Sequence, residues 1–233
     1  MKKVYFLLSI LLMTQCAELQ NLKLPFPTNL SGEEIGGGLK EALNNGISKG
    51  ADLLSQVDGY YKSPYKILLP EEAKRVINKL KVVPGFNDLE ANLTLRVNRA
   101  AELAAQKAKP IFVKAIKEMT FRDAANILMG ADTAATGYLR IQTYQPLYTE
   151  FQPIILSALN EVHAADYWET AVTAYNRLPL VKKTNPKLDD YVATMALAGL
   201  FEMIAKEEIG IRKDVSLRTT DLLRKVFAKQ DRK

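Results

Sequence analysis

Few residues in this chain have side chains suited to chemistry on their own: 233 residues hold one His and one Cys. A zinc site of the usual kind needs several His or Cys ligands, so that chemistry is excluded by counting. A di-iron carboxylate bundle needs a Glu-x-x-His pair from each of two helices, whereas Glu161 and His163 are two apart and without a second histidine. A Ser-His-Asp hydrolase would have to use His163, and no Gly-x-Ser-x-Gly elbow is present. His163 lies in a polar stretch between expected helices, where a surface or capping role suits it better than haem ligation. No calcium loop of EF-hand spacing occurs. Neither a metal nor a cofactor is therefore expected, and catalysis is left only the carboxylates, of which there are 26.

Two polar constellations stand where a purely structural role is awkward. Asn98 and Glu102 are one helical turn apart with Arg99 adjacent, so an amide, a carboxylate and a guanidinium gather beside a run of alanines. If buried, such groups need partners. Glu202, Glu207 and Glu208 sit toward the end of an apolar helix, where the macrodipole disfavours negative charge by about 0.3 to 1 kcal/mol each. Arg212 and Arg218 follow as compensating cations. Each constellation is expected to lock helices together, with a ligand pocket as the alternative. Tyr138, Arg140 and Tyr144 read as aromatics and a cation at the edge of the core.

The elements that must position these groups are helices. Ser31 and Glu34 have the spacing of a capping box, and Ile35, Leu39, Leu43, Ile47, Leu54 and Val57 repeat with helical period behind it. The Gly36-Gly37-Gly38 run follows no strand and does not satisfy a dinucleotide-binding fingerprint. Lys62 to Leu69 is a connector; Pro70 opens a short helix that Pro84-Gly85 closes. An alanine-rich stripe follows from Leu89 through Leu93, Val97, Ala101, Ala104 and Ala108, and Pro110 starts another helix. Thr120 and Asp123 have capping-box spacing, and Asp132 is the expected N-cap of the helix carrying Tyr138. Pro146 and Pro153 predict a break near Gln145, because Pro removes a helical N–H. Tyr167 to Leu178 is a further helix and Pro179 to Pro186 a connector. Val192 to Phe201 is apolar on every side except Thr194, the pattern of a helix surrounded by other helices. Beyond Gly210 a last amphipathic helix carries Leu217, Leu222, Leu223, Val226 and Phe227. The fold class is all-α: a single bundle of roughly eight helices around a buried apolar helix near the C-terminus.

Lys2 and Lys3, the apolar run Val4 to Met13 and the polar stretch ending at Cys16 have the layout of an export signal, too short to span a bilayer. Residues 1–15 are the expected leader, 16–30 an anchor and Pro-containing spacer, and 31–233 one all-α domain. Cys16 stands where a bacterial lipoprotein signal places the thiol that becomes diacylated. Gln15 departs from the small residue usual before it, and the alternative is ordinary cleavage after Cys16 or Ala17. Several acyl chains at one terminus would anchor stably where one is marginal. The formal charge of +6 falls mainly in the C-terminal quarter, where it suits a solvated helix end better than a nucleic-acid arm.

The blocks Leu39 to Leu43, Ile67 to Pro70, Asn98 to Glu102, Pro110 to Phe112, Asp123-Ala124, Ile127 to Gly130, Ala134 to Thr136, Ala196-Leu197, Gly199 to Phe201, Glu207-Glu208 and Arg218 to Thr220 together resemble domain of unknown function 4197. The resemblance implies an exported, often lipid-anchored helical protein of Gram-negative bacteria and brings no catalytic residues with it. The expected function is a non-catalytic binding or interaction module on the periplasmic side of an envelope membrane, the outer one by preference. Its partner would be an envelope protein or an amphiphilic ligand, with no nucleic acid. The alternatives are a hydrolase of envelope polymers using Glu102 or Glu207 and Glu208, and a carrier holding apolar cargo between the alanine-rich and central helices.

Overall fold

The apolar run at Val192 to Phe201 forms the middle of a helix, α8 (Leu188–Lys213), that packs against four others. These are α1 (Gly32–Leu54), α3 (Leu89–Ala105), α6 (Ala134–Asn160) and α7 (Ala164–Asn176). The remaining helices are α2 (Glu71–Leu80), α4 (Ala108–Glu118), α5 (Phe121–Met129) and α9 (Asp221–Phe227), with a short 3-10 turn at Val215–Leu217. This computed structural model describes residues 30–80, 88–161, 164–177, 179–180, 183, 185, 187–228 and 231, and no strand occurs among them. The protein is an all-α bundle. The leader, Cys16, the spacer to residue 29, Pro84-Gly85 and His163 lie outside the described residues.

The core forms because α8 is apolar on most of its circumference. Val192, Ala193, Ala196, Leu197, Leu200 and Phe201 are buried, while Thr194 and Met195 face water. The exposed side is therefore wider than the single threonine suggested. Small residues let the neighbours close in. Gly38, Ala42, Gly46 and Gly50 repeat every fourth position along α1 and line one face. A Cβ on Gly38 would meet the Val226 side chain of α9 at 2.6 Å, and one on Gly50 would meet Met203 of α8 at 3.2 Å. Of the three-glycine run, Gly38 serves close helix packing, while a Cβ on Gly36 would meet nothing within 4 Å. The alanines of α3 at 100, 101, 104 and 105 are likewise buried, against α6 and α8.

Several boundaries differ from the sequence expectation, each for a tertiary reason. The helical stripe of α1 stops at Leu54, and Val57 lies beyond it, 77 % exposed. No break occurs near Gln145. Instead α6 runs through both prolines, which are exposed and two turns apart on its outer side. The prolines remove the N–H groups that would bond the carbonyls of Gln142 and Thr149, both exposed residues. The opposite face buries Leu139, Leu147, Phe151, Ile155 and Leu159, enough to offset an interior proline cost of about 3 kcal/mol each. At the other end α8 passes through Gly210 to Lys213, and Leu217 approaches to 2.9 Å from where a Cβ on Gly210 would stand. Leu217 belongs to the 3-10 turn and is largely exposed, so the last amphipathic helix starts only at Asp221.

Candidate functional site

Helix ends present unpaired backbone groups, and their sign favours anions at the N-terminus and cations at the C-terminus. The second constellation satisfies three such ends at once. Glu208 reaches from α8 to the start of α6, where its carboxylate accepts from the backbone N–H of Ala135 at 2.9 Å and of Thr136 at 2.8 Å, and from the Thr136 hydroxyl at 2.8 Å. Arg212, one turn along, binds Glu208 through Nε at 3.0 Å and Nη2 at 2.9 Å. Its guanidinium also donates to the carbonyls of Ile127 at 2.9 Å and Leu128 at 3.3 Å, which end α5. Arg218 then folds back on α8 and donates to the carbonyls of Ile211 at 3.0 Å and Arg212 at 2.9 Å. Its remaining donors grip the Asp231 carboxylate at 2.9 and 2.7 Å, and this holds the Asp231 pKa below the usual carboxylate value. Glu208, Arg212 and Arg218 are all buried.

This geometry corrects two expectations. Asp132 does not cap α6: the N-cap is Thr133, whose side chain makes no capping bond, and Asp132 pairs with Lys213 at 2.8 Å. The acids of α8 do not form one cluster either. Because α8 continues to Lys213, Glu207 and Glu208 lie within it rather than at its end. Glu207 points to α1 and pairs with Lys49 at 2.8 Å, while Glu202 is exposed.

The first constellation binds an irregular segment instead of helix ends. Asn98, fully buried on α3, accepts from the N–H of Ile67 and donates to its carbonyl, both at 2.8 Å, and donates to Thr94 at 2.7 Å. Glu102 accepts from the backbone N–H of Tyr60 at 3.1 Å and Tyr61 at 3.2 Å. Arg99 bridges Glu102 at 2.7 Å and Asp58 at 2.6 Å. Bonds from Lys62 and Arg99 depress the Asp58 pKa. Tyr60, drawn inward, donates its hydroxyl to the Ala196 carbonyl of α8 at 2.7 Å, beside Gly199, where a Cβ would stand 3.1 Å from the ring. Burial, with the Glu102 charge, pushes the Tyr60 hydroxyl pKa far up. Asp58 and Tyr60 were not singled out from the sequence; the Asp58-Gly59 pair was the available turn signal. Asp58 has a left-handed φ of 71°, and a Cβ on Gly59 would strike the Leu53 carbonyl at 2.3 Å.

Tyr138, Arg140 and Tyr144 edge the core as expected: Arg140 lies 4.6 Å over the Phe201 ring, and Tyr144 stacks on Phe201 and Tyr148. Nearby, the Tyr148 hydroxyl bonds Asp190, which raises its pKa to about 12, and buried Asp189 accepts from Gln152 at 2.6 Å. No group of three or more His, Cys, Asp or Glu that could hold a metal occurs among the described residues.

Two concave spaces adjoin these constellations. A small one against Glu208 and Arg212 measures about 20 Å³, room for one water. An open one of about 340 Å³ lies where the turn after α1 meets α8, lined by Leu53, Val57, Pro64, Tyr65, Met203 and Lys206 among others. The Tyr65 hydroxyl there donates to the Met203 sulfur at 3.5 Å.

The family model described as protein of unknown function (DUF4197) matches residues 29–228, and the chain belongs to that family. No curated protein and no solved structure matches the chain.

Proposed function

We propose that this family member is a non-catalytic binding module of the cell envelope, exported by its N-terminal leader and tethered through an acylated Cys16 to the periplasmic face of the outer membrane. The observation that carries the non-catalytic part is the occupation of the candidate carboxylates. Of the acids a hydrolase would use, Glu207 is paired with Lys49, while Glu102 and Glu208 are buried and spend their oxygens on backbone N–H groups and arginines. A general acid or base must reach a substrate proton within hydrogen-bond distance, and these two are committed to holding elements together. The open cavity by Met203 supplies a concave surface for a partner or ligand. The tether rests on the sequence of the first 16 residues, and none of the described helices is long and apolar enough to cross a membrane by itself.

Native mass spectrometry of protein purified from its own envelope fraction tests this reading. The expected result is a chain beginning at Cys16 with the added mass of its acyl groups, retaining a small ligand or partner. A Cys16→Ser chain should lose both the acyl mass and the membrane fraction. An unmodified chain recovered in the soluble fraction would overturn the tether. Turnover of an envelope polymer that Glu102→Gln abolishes, in a chain that remains folded, would overturn the non-catalytic reading.

A further inference from the structure

From the lining of the open cavity between the α1 turn and α8, we infer a binding site for a small single-chain anionic amphiphile, such as a medium-chain carboxylate. The inference deepens the binding-module reading and rests on it, but it concerns a particular place. The volume of about 340 Å³ falls at the lower end of the range of about 300 to 1,000 Å³ that small-molecule sites occupy. It suits one chain rather than a diacyl lipid.

Much of the wall is apolar, and two of its side chains lie outside the core. Val57 lies past the end of its helix at 77 % exposure, and Leu53 is 43 % exposed. Pro64, the Tyr65 ring and Met203 complete the apolar floor. Methionine is unbranched and polarizable, able to follow the contour of a flexible chain. Exposed apolar side chains gathered around a concavity are stabilised when a ligand removes them from water.

The sign of the head group follows from the charges on the lining. Asp58 lies there, but its carboxylate is already bound by Arg99 at 2.6 Å and Lys62 at 2.9 Å. Lys206 also stands on the lining, and no ion pair or hydrogen bond engages it among the described residues. Glu202, one turn earlier on α8, and Glu207, paired with Lys49, are near enough for their charges to raise the Tyr65 pKa, after burial, but neither is on the lining. Among the described residues, the unpaired charge on the lining is the Lys206 ammonium, and Gln56 lies on the same lining.

The test uses the whole chain carrying Cys16→Ser, purified without detergent and labelled with ¹³C at the methionine methyls. Decanoate, decanol and decylammonium are titrated separately. With decanoate the Met203 methyl should shift saturably, while Met129, exposed at the end of α5, stays still. Lys206→Gln should weaken decanoate by about tenfold, the scale of one charge-assisted bond, and leave decanol unchanged. Val57→Glu, at an exposed position that costs the core nothing, should abolish the binding of decanoate. The inference is overturned if Met203 does not shift, if Met129 shifts in parallel, if Lys206→Gln binds decanoate as the parent does, or if decylammonium binds more tightly. None of these outcomes bears on the acyl mass at Cys16 or on turnover, so the site and the proposed function fail separately.

Discussion

The Asn98–Arg99–Glu102 group and the Glu208–Arg212–Arg218 group each hold a Glu–Arg pair one helical turn apart, yet they solve different problems. The second serves regular structure. Its charges sit at the start of α6 and the ends of α5 and α8, each with the sign the macrodipole favours. The first serves irregular structure, giving residues 58–67 the backbone partners that a strand neighbour or helix would otherwise supply. One is sealed; the other is partly open, since Arg99 keeps about a third of its surface in water. In both groups a buried polar side chain on a helix face answers unpaired backbone on another segment.

The sharpest way to break the comparison is at its sealed end. Glu208→Ala leaves Arg212 buried without its carboxylate and strips the start of α6, and a loss of about 3 to 5 kcal/mol in urea unfolding is expected. Asn98→Ala should come next, at about 1 to 3 kcal/mol for the orphaned Ile67 groups. The two variants also differ in kind. Hydrogen exchange should rise across 58–67 for Asn98→Ala, and at the α5–α6 junction for Glu208→Ala. If both variants loosen the same amides, the two groups are one network and the contrast drawn here is wrong.

A gentler probe is pH. Asp58 has a folded pKa below its ordinary value of 3.8, so it contributes stability that is complete above that value and is lost as pH falls through the folded pKa. Acid should therefore loosen the open group, seen as faster exchange at Tyr60 and Tyr61 below about pH 4. Asp58→Asn should flatten that response. Least of all, Lys49→Met breaks a pair whose lysine is more than half exposed, and its effect should be about 1 kcal/mol or less. A larger loss in thermal denaturation would mean that the α1–α8 contact depends on charge rather than on Gly46 and Gly50.

Much of the fold was legible because the signals are local. The capping box at Thr120 and Asp123 forms as its spacing implies, with both reciprocal bonds present. The core positions of α1 and α8 follow from period and composition. The misreadings share a cause. Pro146 and Pro153 look like breaks when only the local backbone is weighed, yet the buried face of α6 outweighs them. Asp132 looks like a cap, but the cap arrives from Glu208, more than seventy positions away. Glu202 looked like a partner of Glu207 and Glu208 by proximity along the chain, while the helix turns the three to different surroundings.

By itself the sequence determined the helical class, the apolar rod at Val192 to Phe201 and the residues able to carry buried charge, since period, caps and composition act over a few turns of chain. Only the tertiary structure decided what those charges meet. A carboxylate or guanidinium bonds whatever backbone is brought within about 3 Å of it, and that distance is set by packing between segments remote in the chain. The same holds for the cavity beside Met203, whose walls come from a turn and a helix about 140 residues apart.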